Sequence, residues 1–184
     1  MKPAAQADGN LIDMLDRFAA GDLVAFEALF REYQGPVYGW IIRIVRDRGA
    51  AEDLTVETFW RAWNARARFD PTRSFGAWLR RIASNLALNH LKRRGAAGFS
   101  LPDGGVNAAA PQNPAIEGET RAAIARAFGE LPPKLQAAAT LALIEEQPYG
   151  EIAAGLGISV NGVKSRVFRA VRILRKKLEW IRTD

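Results

Sequence analysis

YGEIAAGLGISVNGVKSRVFRA, residues 149–170, carries the sharpest local pattern in the chain. Ile152 and Leu156 give its first half one apolar side, and the small Ala153 would allow a second helix to cross closely. Gly157 then falls where a tight turn needs positive φ, and Ser159 is suited to cap the next helix. Two short helices joined by such a turn form a helix-turn-helix.

The second helix of this motif has one apolar side and one polar, basic side. The apolar positions follow helical spacing: Val160, Val163, Val167, Val171 and Leu174. The positions expected to face outward are Asn161, Ser165, Arg166, Arg169 and Arg172. Arginine and asparagine are the side chains that contact guanine and adenine in the major groove, so the pattern predicts DNA binding. The alternative is an ordinary helical hairpin whose basic side is only solvated.

Charge and composition favour a polyanionic partner. The chain of 184 residues has a net charge of +6, and residues 164–177 hold seven basic residues and no acidic one. There is no cysteine, and His90 is the single histidine, so we expect no metal site and no cofactor. No stretch has the length of a membrane span or the apolar core of a signal peptide, so we expect a cytoplasmic protein.

Residues 95–118 are rich in Gly, Ala, Pro and Asn and lack apolar periodicity. A segment of this length is too long for an ordinary connection within one domain. It predicts a flexible linker between two lobes, 1–94 and 119–184, each of which carries a net charge of +4.

Apolar spacing predicts helices throughout both lobes. In the first lobe we expect a helix capped by Asp22, another that starts at Pro36, a third over about 50–64 and a fourth over about 74–95. In the second we expect helices near 119–129, 133–145, 149–155 and 159–179. No segment alternates as a strand would, so the predicted fold class is all-α with two small helical domains.

Two faces in the first lobe are candidate binding surfaces. Asp53, Val56, Glu57 and Trp60 share one side of the third helix, where an aromatic anchor with a charged rim is typical of protein interfaces. The open alternative is that Trp60 folds back into the core. The fourth helix aligns aromatic, amide and cationic side chains suited to a nucleic-acid strand: Trp78, Arg81, Asn85, Asn89, Lys92 and Arg93. Its alternative is a solvated helix with Trp78 in the core.

FEALFREYQGPVYGWIIRIVRDRGAAEDLTVETFWRAWNARARFDPTRSFGAWLRRIASNLALNHLKRR, residues 26–94, resembles domain 2 of extracytoplasmic-function (ECF) sigma factors of bacterial RNA polymerase. ELPPKLQAAATLALIEEQPYGEIA, residues 130–153, resembles the start of their domain 4, which the helix-turn-helix completes. The resemblance covers about 20–94 and 119–179. Gln136, Val56 and Asn161-Gly162 depart from the residues that are usual in the family.

The resemblance implies a sigma factor that binds core RNA polymerase and recognises promoter elements. The clamp helices of the largest subunit would bind Asp53, Val56, Glu57 and Trp60. The −10 element would contact Arg73, Ser74, Phe75, Trp78, Arg81, Asn85, Asn89, Lys92 and Arg93. The −35 element would contact Ser159, Asn161, Lys164, Ser165, Arg166, Arg169 and Arg172. The family is commonly held inactive by an anti-sigma factor, and it performs no catalysis.

Two other classes of function remain as alternatives. A helix-turn-helix regulator that acts without the polymerase, such as a response regulator, would need a receiver domain of alternating strands and helices, and the sequence predicts no strand. A nuclease could use the acids of the third helix, Glu52, Asp53 and Glu57, but no catalytic partner lies near them in the sequence.

Overall fold

The computed structural model of the chain describes residues 4–95, 99 and 114–179. Side chains are described for residues 11–95, 99 and 118–179. These residues form helices and no strand, as predicted. In chain order the helices are α1 (Ala4–Ala19), α2 (Leu23–Val45), α3 (Arg48–Ala65), α4 (Phe75–Arg94), α5 (Pro114–Gly129), α6 (Pro133–Ala139), α7 (Tyr149–Leu156) and α8 (Val160–Lys177). A short 3-10 helix, Arg66–Arg68, follows α3, and a π-helical turn, Thr140–Ile144, continues α6. Most of the predicted linker, 96–98 and 100–113, lies outside the described residues.

The first lobe packs α1 to α4 around a cluster of aromatic rings. Phe18 of α1 is fully buried at its centre. Its ring lies 5.3 Å from that of Phe75 and 6.1 Å from that of Phe26, between centroids. Trp63, Phe69 and Trp78 complete the cluster. The cluster joins four helices and thereby positions α3 and α4, which carry the candidate surfaces.

α2 is one continuous helix, so the predicted break at Pro36 is wrong. A proline inside a helix removes one backbone hydrogen bond and usually bends or ends the helix. Here the residues that follow it are buried against α3 and α4, and this packing keeps the helix continuous through the proline: Val37, Trp40, Ile41 and Ile44. α2 ends instead at Arg46, whose φ of 57° is left-handed and whose backbone N–H donates to the carbonyl of Ile42.

Side-chain caps begin the helices where the sequence predicted them. The Asp22 carboxylate accepts from the backbone N–H of Val24 at 2.8 Å, and Ser159 accepts from that of Gly162 at 3.1 Å. A hydrogen bond from Arg17, together with the bond from Val24, lowers the pKa of Asp22. These caps satisfy backbone donors that have no partner inside the helix.

The second lobe packs α5 to α8 around its own apolar residues. Phe99 stacks on Phe128, with 5.5 Å between ring centroids, so one residue of the predicted linker belongs to this core. Gly157 takes a φ of 65° at the turn between α7 and α8, as the helix-turn-helix requires. Ile158, which follows it, is half-buried against the core.

The two lobes are in direct contact, which the sequence did not predict. α4 packs against α6 and α7, and apolar residues of both lobes form one continuous core. Among the described residues, no helix combines the length and the apolar character that crossing a membrane requires.

Candidate protein and nucleic-acid interfaces

The outer face of α3 exposes an aromatic and an aliphatic side chain together. Trp60 is 62% exposed and Val56 is 64% exposed, whereas Leu54 and Phe59 on the other side of α3 are buried. The alternative in which Trp60 folds into the core is therefore wrong. Single exposed apolar side chains are common, but neighbouring ones that form a patch are typical of sites where a partner binds.

Carboxylates flank these apolar side chains. Asp53 is exposed and Glu57 is half-buried, where it accepts a hydrogen bond of 2.7 Å from Arg61 Nε. A groove beside them runs between α2 and α3 and is lined in part by Phe30, Tyr38 and Val56. This face, Asp53, Val56, Glu57 and Trp60, is called the α3 patch below. Its apolar centre with a charged rim is the arrangement expected of a protein interface.

α4 presents an exposed polar stripe along its length. The stripe contains Arg81, Asn85, Asn89 and Lys92, which follow one another at helical spacing, and Arg93 is exposed beside it. The amides and cations at these positions can hold phosphates and the edges of unpaired bases. No acidic side chain lies on α4.

The aromatic residues predicted to join this stripe are placed differently. Phe75 is only 2% exposed at the centre of the aromatic cluster, so in this structure its ring belongs to the core and offers no face to DNA. Trp78 is half-buried, with its ring centroid 4.8 Å from that of Phe69. Aromatic packing explains both positions, because Phe75 contacts four other rings and Trp78 contacts three, and such ring contacts stabilise a buried aromatic side chain.

The loop before α4 is ordered by local hydrogen bonds. Asp70 accepts from the hydroxyl of Thr72 at 2.7 Å and from its backbone N–H at 3.0 Å, and these bonds lower the pKa of Asp70. Arg73 is exposed and pairs with Asp70 at 3.3 Å. The Ser74 hydroxyl caps α4 by accepting from the backbone N–H of Ala77. Arg73 is thus held near the N-terminus of α4, where anions are favoured.

α8 carries the most basic surface. Its buried residues are Val163, Val167, Ala170 and Leu174. The side opposite them exposes a stripe of four residues at helical spacing: Asn161, Ser165, Phe168 and Arg172. Lys164 and Arg169 flank this stripe, and the capping Ser159 precedes it. This α8 stripe projects from the second helix of a helix-turn-helix, the element that enters the major groove.

Three residues of α8 differ from the sequence-based expectation. Val160, which was expected on the apolar side, is exposed at the start of the helix. Arg166 is half-buried and lies toward the core side of the helix, because it is adjacent in the turn to Val163 and Ala170. Phe168 was not among the predicted contacts, yet it is 64% exposed on the stripe itself. The sequence does carry a signal for Phe168: it lies two helical turns after Asn161 and outside the apolar spacing of the core.

His90 and the rest of the described chain offer no metal site. Burial lowers the pKa of His90, and the neighbouring charge of Arg94 lowers it further. Arg94 itself donates to the carbonyl of Val45 at 2.9 Å and fastens the end of α4 to α2. Within the described residues no three potential ligands among His, Asp and Glu come together.

Comparison with known proteins agrees with this arrangement. The family model for sigma-70 region 2 matches residues 29–97, and that for sigma-70 region 4 matches 121–174. The chain is 33% identical to RNA polymerase sigma-H factor of Pseudomonas aeruginosa, over 90% of this chain and 92% of that protein. It is 31% identical to the ECF RNA polymerase sigma-E factor of Escherichia coli, over 90% and 93%.

A solved structure also shares the fold. CnrH, determined in complex with the cytosolic domain of CnrY, superposes with a TM-score of 0.55 at 27% identity, over 92% of this chain and 97% of that one. The two sigma-70 models lie in the same order as the two lobes described above, and full-length relatives align across both. The chain therefore belongs to the ECF sigma factors of bacterial RNA polymerase.

Proposed function

We propose that this sigma factor holds core RNA polymerase through the α3 patch, contacts the −10 element with α4 and its preceding loop, and contacts the −35 element with α8. The observation that carries the proposal is the separation of three exposed surfaces of different chemistry: an apolar patch with acids, an amide-rich stripe and a basic stripe. One binds protein and two bind DNA. The division into 1–94, 95–118 and 119–184 is the domain organisation that we propose for these tasks.

The α3 patch suits a basic and partly apolar partner. Trp60 and Val56 together supply apolar area, and Asp53 and Glu57 supply negative charge at its edge. Charges at the rim of an interface mainly steer association, whereas a buried aromatic anchor holds the complex. The clamp helices of the largest polymerase subunit are the partner that the family resemblance assigns to this face.

Reversing the two charges should weaken binding to core polymerase. We expect the double substitution Asp53→Lys and Glu57→Lys to raise the Kd by about tenfold, because two favourable rim charges become unfavourable. The measurement is fluorescence anisotropy of labelled protein titrated with core enzyme. The control is Asp13→Lys with Asp16→Lys on α1, which changes the net charge equally on another exposed surface. An equal loss for both pairs would show that only overall charge matters.

The first lobe is proposed to act on promoter DNA by capture rather than catalysis. Asn85 and Asn89 can hydrogen-bond base edges, and Arg81 and Lys92 can hold the phosphates of the same strand. A protein that binds the unpaired state more tightly than the duplex shifts DNA toward that state. No covalent step is required.

The C-terminal end of α8 is proposed to hold phosphates without contributing to sequence choice. Replacing the exposed Lys176 by alanine should weaken binding to all −35 sequences alike. It should also make the negative slope of log K against log salt shallower by about 0.9, the value for one lost phosphate contact. Filter binding at several salt concentrations measures the slope. Lys134→Ala removes an exposed lysine elsewhere in the lobe and should leave the slope unchanged.

A regulator that acts without the polymerase is not favoured, because the sigma-70 region 2 match covers the lobe that such a regulator would not need. We also propose that an inhibitory protein of the anti-sigma kind regulates this chain. CnrH, which shares its fold, was determined with the cytosolic domain of CnrY bound.

A further inference from the structure

The contact between the lobes is closest at Gly155 of α7. A Cβ atom placed on this residue would lie 2.9 Å from Cε2 of Trp40 and closer still to two other atoms of that ring. Trp40 belongs to α2 in the first lobe and is buried in the continuous core that both lobes share. The ring therefore cannot give way without disturbing that core, and only glycine permits the lobes to approach this closely.

Hydrogen bonds connect the same three residues. The indole Nε1 of Trp40 donates to Ser84 Oγ at 2.9 Å, and the Ser84 hydroxyl donates to the carbonyl of Gly155 at 2.6 Å. Ser84 belongs to α4 and is buried. The carbonyl of Gly155 is in the last turn of α7, where it has no partner within the helix. Ser84 thus satisfies a backbone group of one lobe and a side chain of the other.

Ion pairs surround this buried contact. Arg80 pairs with Glu151 at 3.1 Å, and Arg43 pairs with Glu145 at 3.8 Å. Arg46 also pairs with Glu145. Each pair joins a basic residue of the first lobe to an acidic residue of the second. Such pairs contribute little individually when exposed, but they orient the lobes and respond to salt.

The docked arrangement brings the two proposed DNA-binding helices too close for one promoter. α7 packs against both α4 and α8, so at about 8–10 Å per helix contact the axes of α4 and α8 lie within about 20 Å. The −10 and −35 elements are centred about 25 base pairs apart, which at about 3.4 Å per base pair is on the order of 80 Å. One docked molecule cannot contact both elements at once.

We propose that Trp40, Ser84 and Gly155 form an interlobe latch that holds the free protein in a closed, inactive state, which binding to core polymerase must open. The part of this proposal that concerns activity rests on the proposed function; the existence of the latch does not. A protein whose competent state is rare binds its partner with an affinity reduced by that fraction. The residue at position 155 therefore sets how much of the free energy of polymerase binding is used to separate the lobes.

Energy transfer between two dyes tests the latch in the free protein. The chain has no cysteine, so Ala28→Cys in α2 and Ala122→Cys in α5, both exposed, give specific labelling sites on the two lobes. Gly155→Ala should lower the transfer efficiency because the methyl group forces the lobes apart, and alanine favours the helix itself. Gly150→Ala is the matched control: it lies in the same helix and its added Cβ would meet nothing within 4 Å.

Ser84→Ala is the second variant, because it opens the latch by removing hydrogen bonds without adding bulk. We expect reduced transfer in both latch variants, unchanged transfer in the Gly150 variant and unchanged helical circular dichroism in all. Transfer equal to that of the parent in both latch variants would overturn the latch. If the Gly155 variant lost helicity, the Ser84 variant would decide alone.

Titration with core polymerase then tests the inhibitory role. The parent should lose energy transfer on binding, and Gly155→Ala should bind more tightly, by up to about tenfold if one parent molecule in ten is open. Equal affinities for an open variant and the closed parent would overturn the inhibitory role. If no variant bound the polymerase, the proposed function would fail, while the free-protein measurement would still decide whether the latch exists.

Discussion

Replacing Trp60 by alanine is expected to weaken binding to core RNA polymerase by about 30- to 1,000-fold, which corresponds to about 2–4 kcal/mol. This is the range measured when a central aromatic anchor is removed from a protein interface. Trp60 qualifies as an anchor because it stands 62% exposed beside Val56, with carboxylates at the edge of the patch. The stability of the free protein should hardly change, since the indole contributes little to the core of the first lobe.

Phe168→Ala is the matched control for this experiment. It removes an aromatic side chain that is equally exposed, at 64%, but lies in the other lobe. Binding of each variant to core polymerase and to an isolated −35 duplex separates the two roles. Trp60→Ala should weaken binding to core polymerase only, and Phe168→Ala should weaken binding to the −35 duplex only. A polymerase affinity that is unchanged by Trp60→Ala would remove the α3 patch from the proposed interface.

Apolar spacing predicted most of the helices because each buries one side. It missed α1, although Leu11, Leu15 and Phe18 are spaced as on a helix that packs inward. The Gly and Ala around them weaken the periodic signal, and their partners, such as Phe69 and Phe75, are distant in sequence. Likewise, Pro36 is locally a sign of a helix start. Only the tertiary packing of α2 against two neighbours keeps the helix continuous there.

Faces of single helices were easier to predict than contacts between lobes. The α3 patch follows from the repeat of one helix, and the structure exposes Asp53, Val56 and Trp60 and leaves Glu57 half-buried beside them. Gly155, in contrast, has no local reason to be glycine: it is inside α7, where glycine is unfavourable. Its reason is the ring of Trp40, 115 positions earlier, and no spacing rule links the two.

The direction in which each residue of α8 points explains the difference at Arg166. Successive residues of a helix are separated by about 100°, so a small error in the assumed core direction moves a flanking residue from one side to the other. The buried residues Val163, Val167 and Ala170 place Arg166 at the edge of the core and Phe168 almost opposite. The prediction that Arg166 contacts bases stays untested, and the α8 stripe makes Phe168 the stronger candidate.

Phe168→Ala is expected to weaken binding to the preferred −35 sequence by about 1–3 kcal/mol and to relax the choice of base at one position. An exposed aromatic ring on a stripe of amide, hydroxyl and guanidinium groups has no hydrogen bond to offer. In the major groove its apolar counterpart is the methyl group of thymine. The phenyl ring would therefore select thymine, and the exposed neighbours Ser165 and Arg172 would hold base edges and phosphates.

Removing the methyl group from the DNA instead of the ring from the protein tests this directly. Each thymine of the −35 duplex is replaced by uracil, one at a time. At the contacted position this replacement should weaken binding of the parent protein and leave binding of the Phe168→Ala variant unchanged. The two losses should not add, because either change removes the same contact. Phe168→Leu should retain part of the selectivity, since it keeps an apolar side chain. If Phe168→Ala weakened every duplex alike, with or without the methyl group, the ring would only support the helix, and thymine would be recognised by another residue of α8.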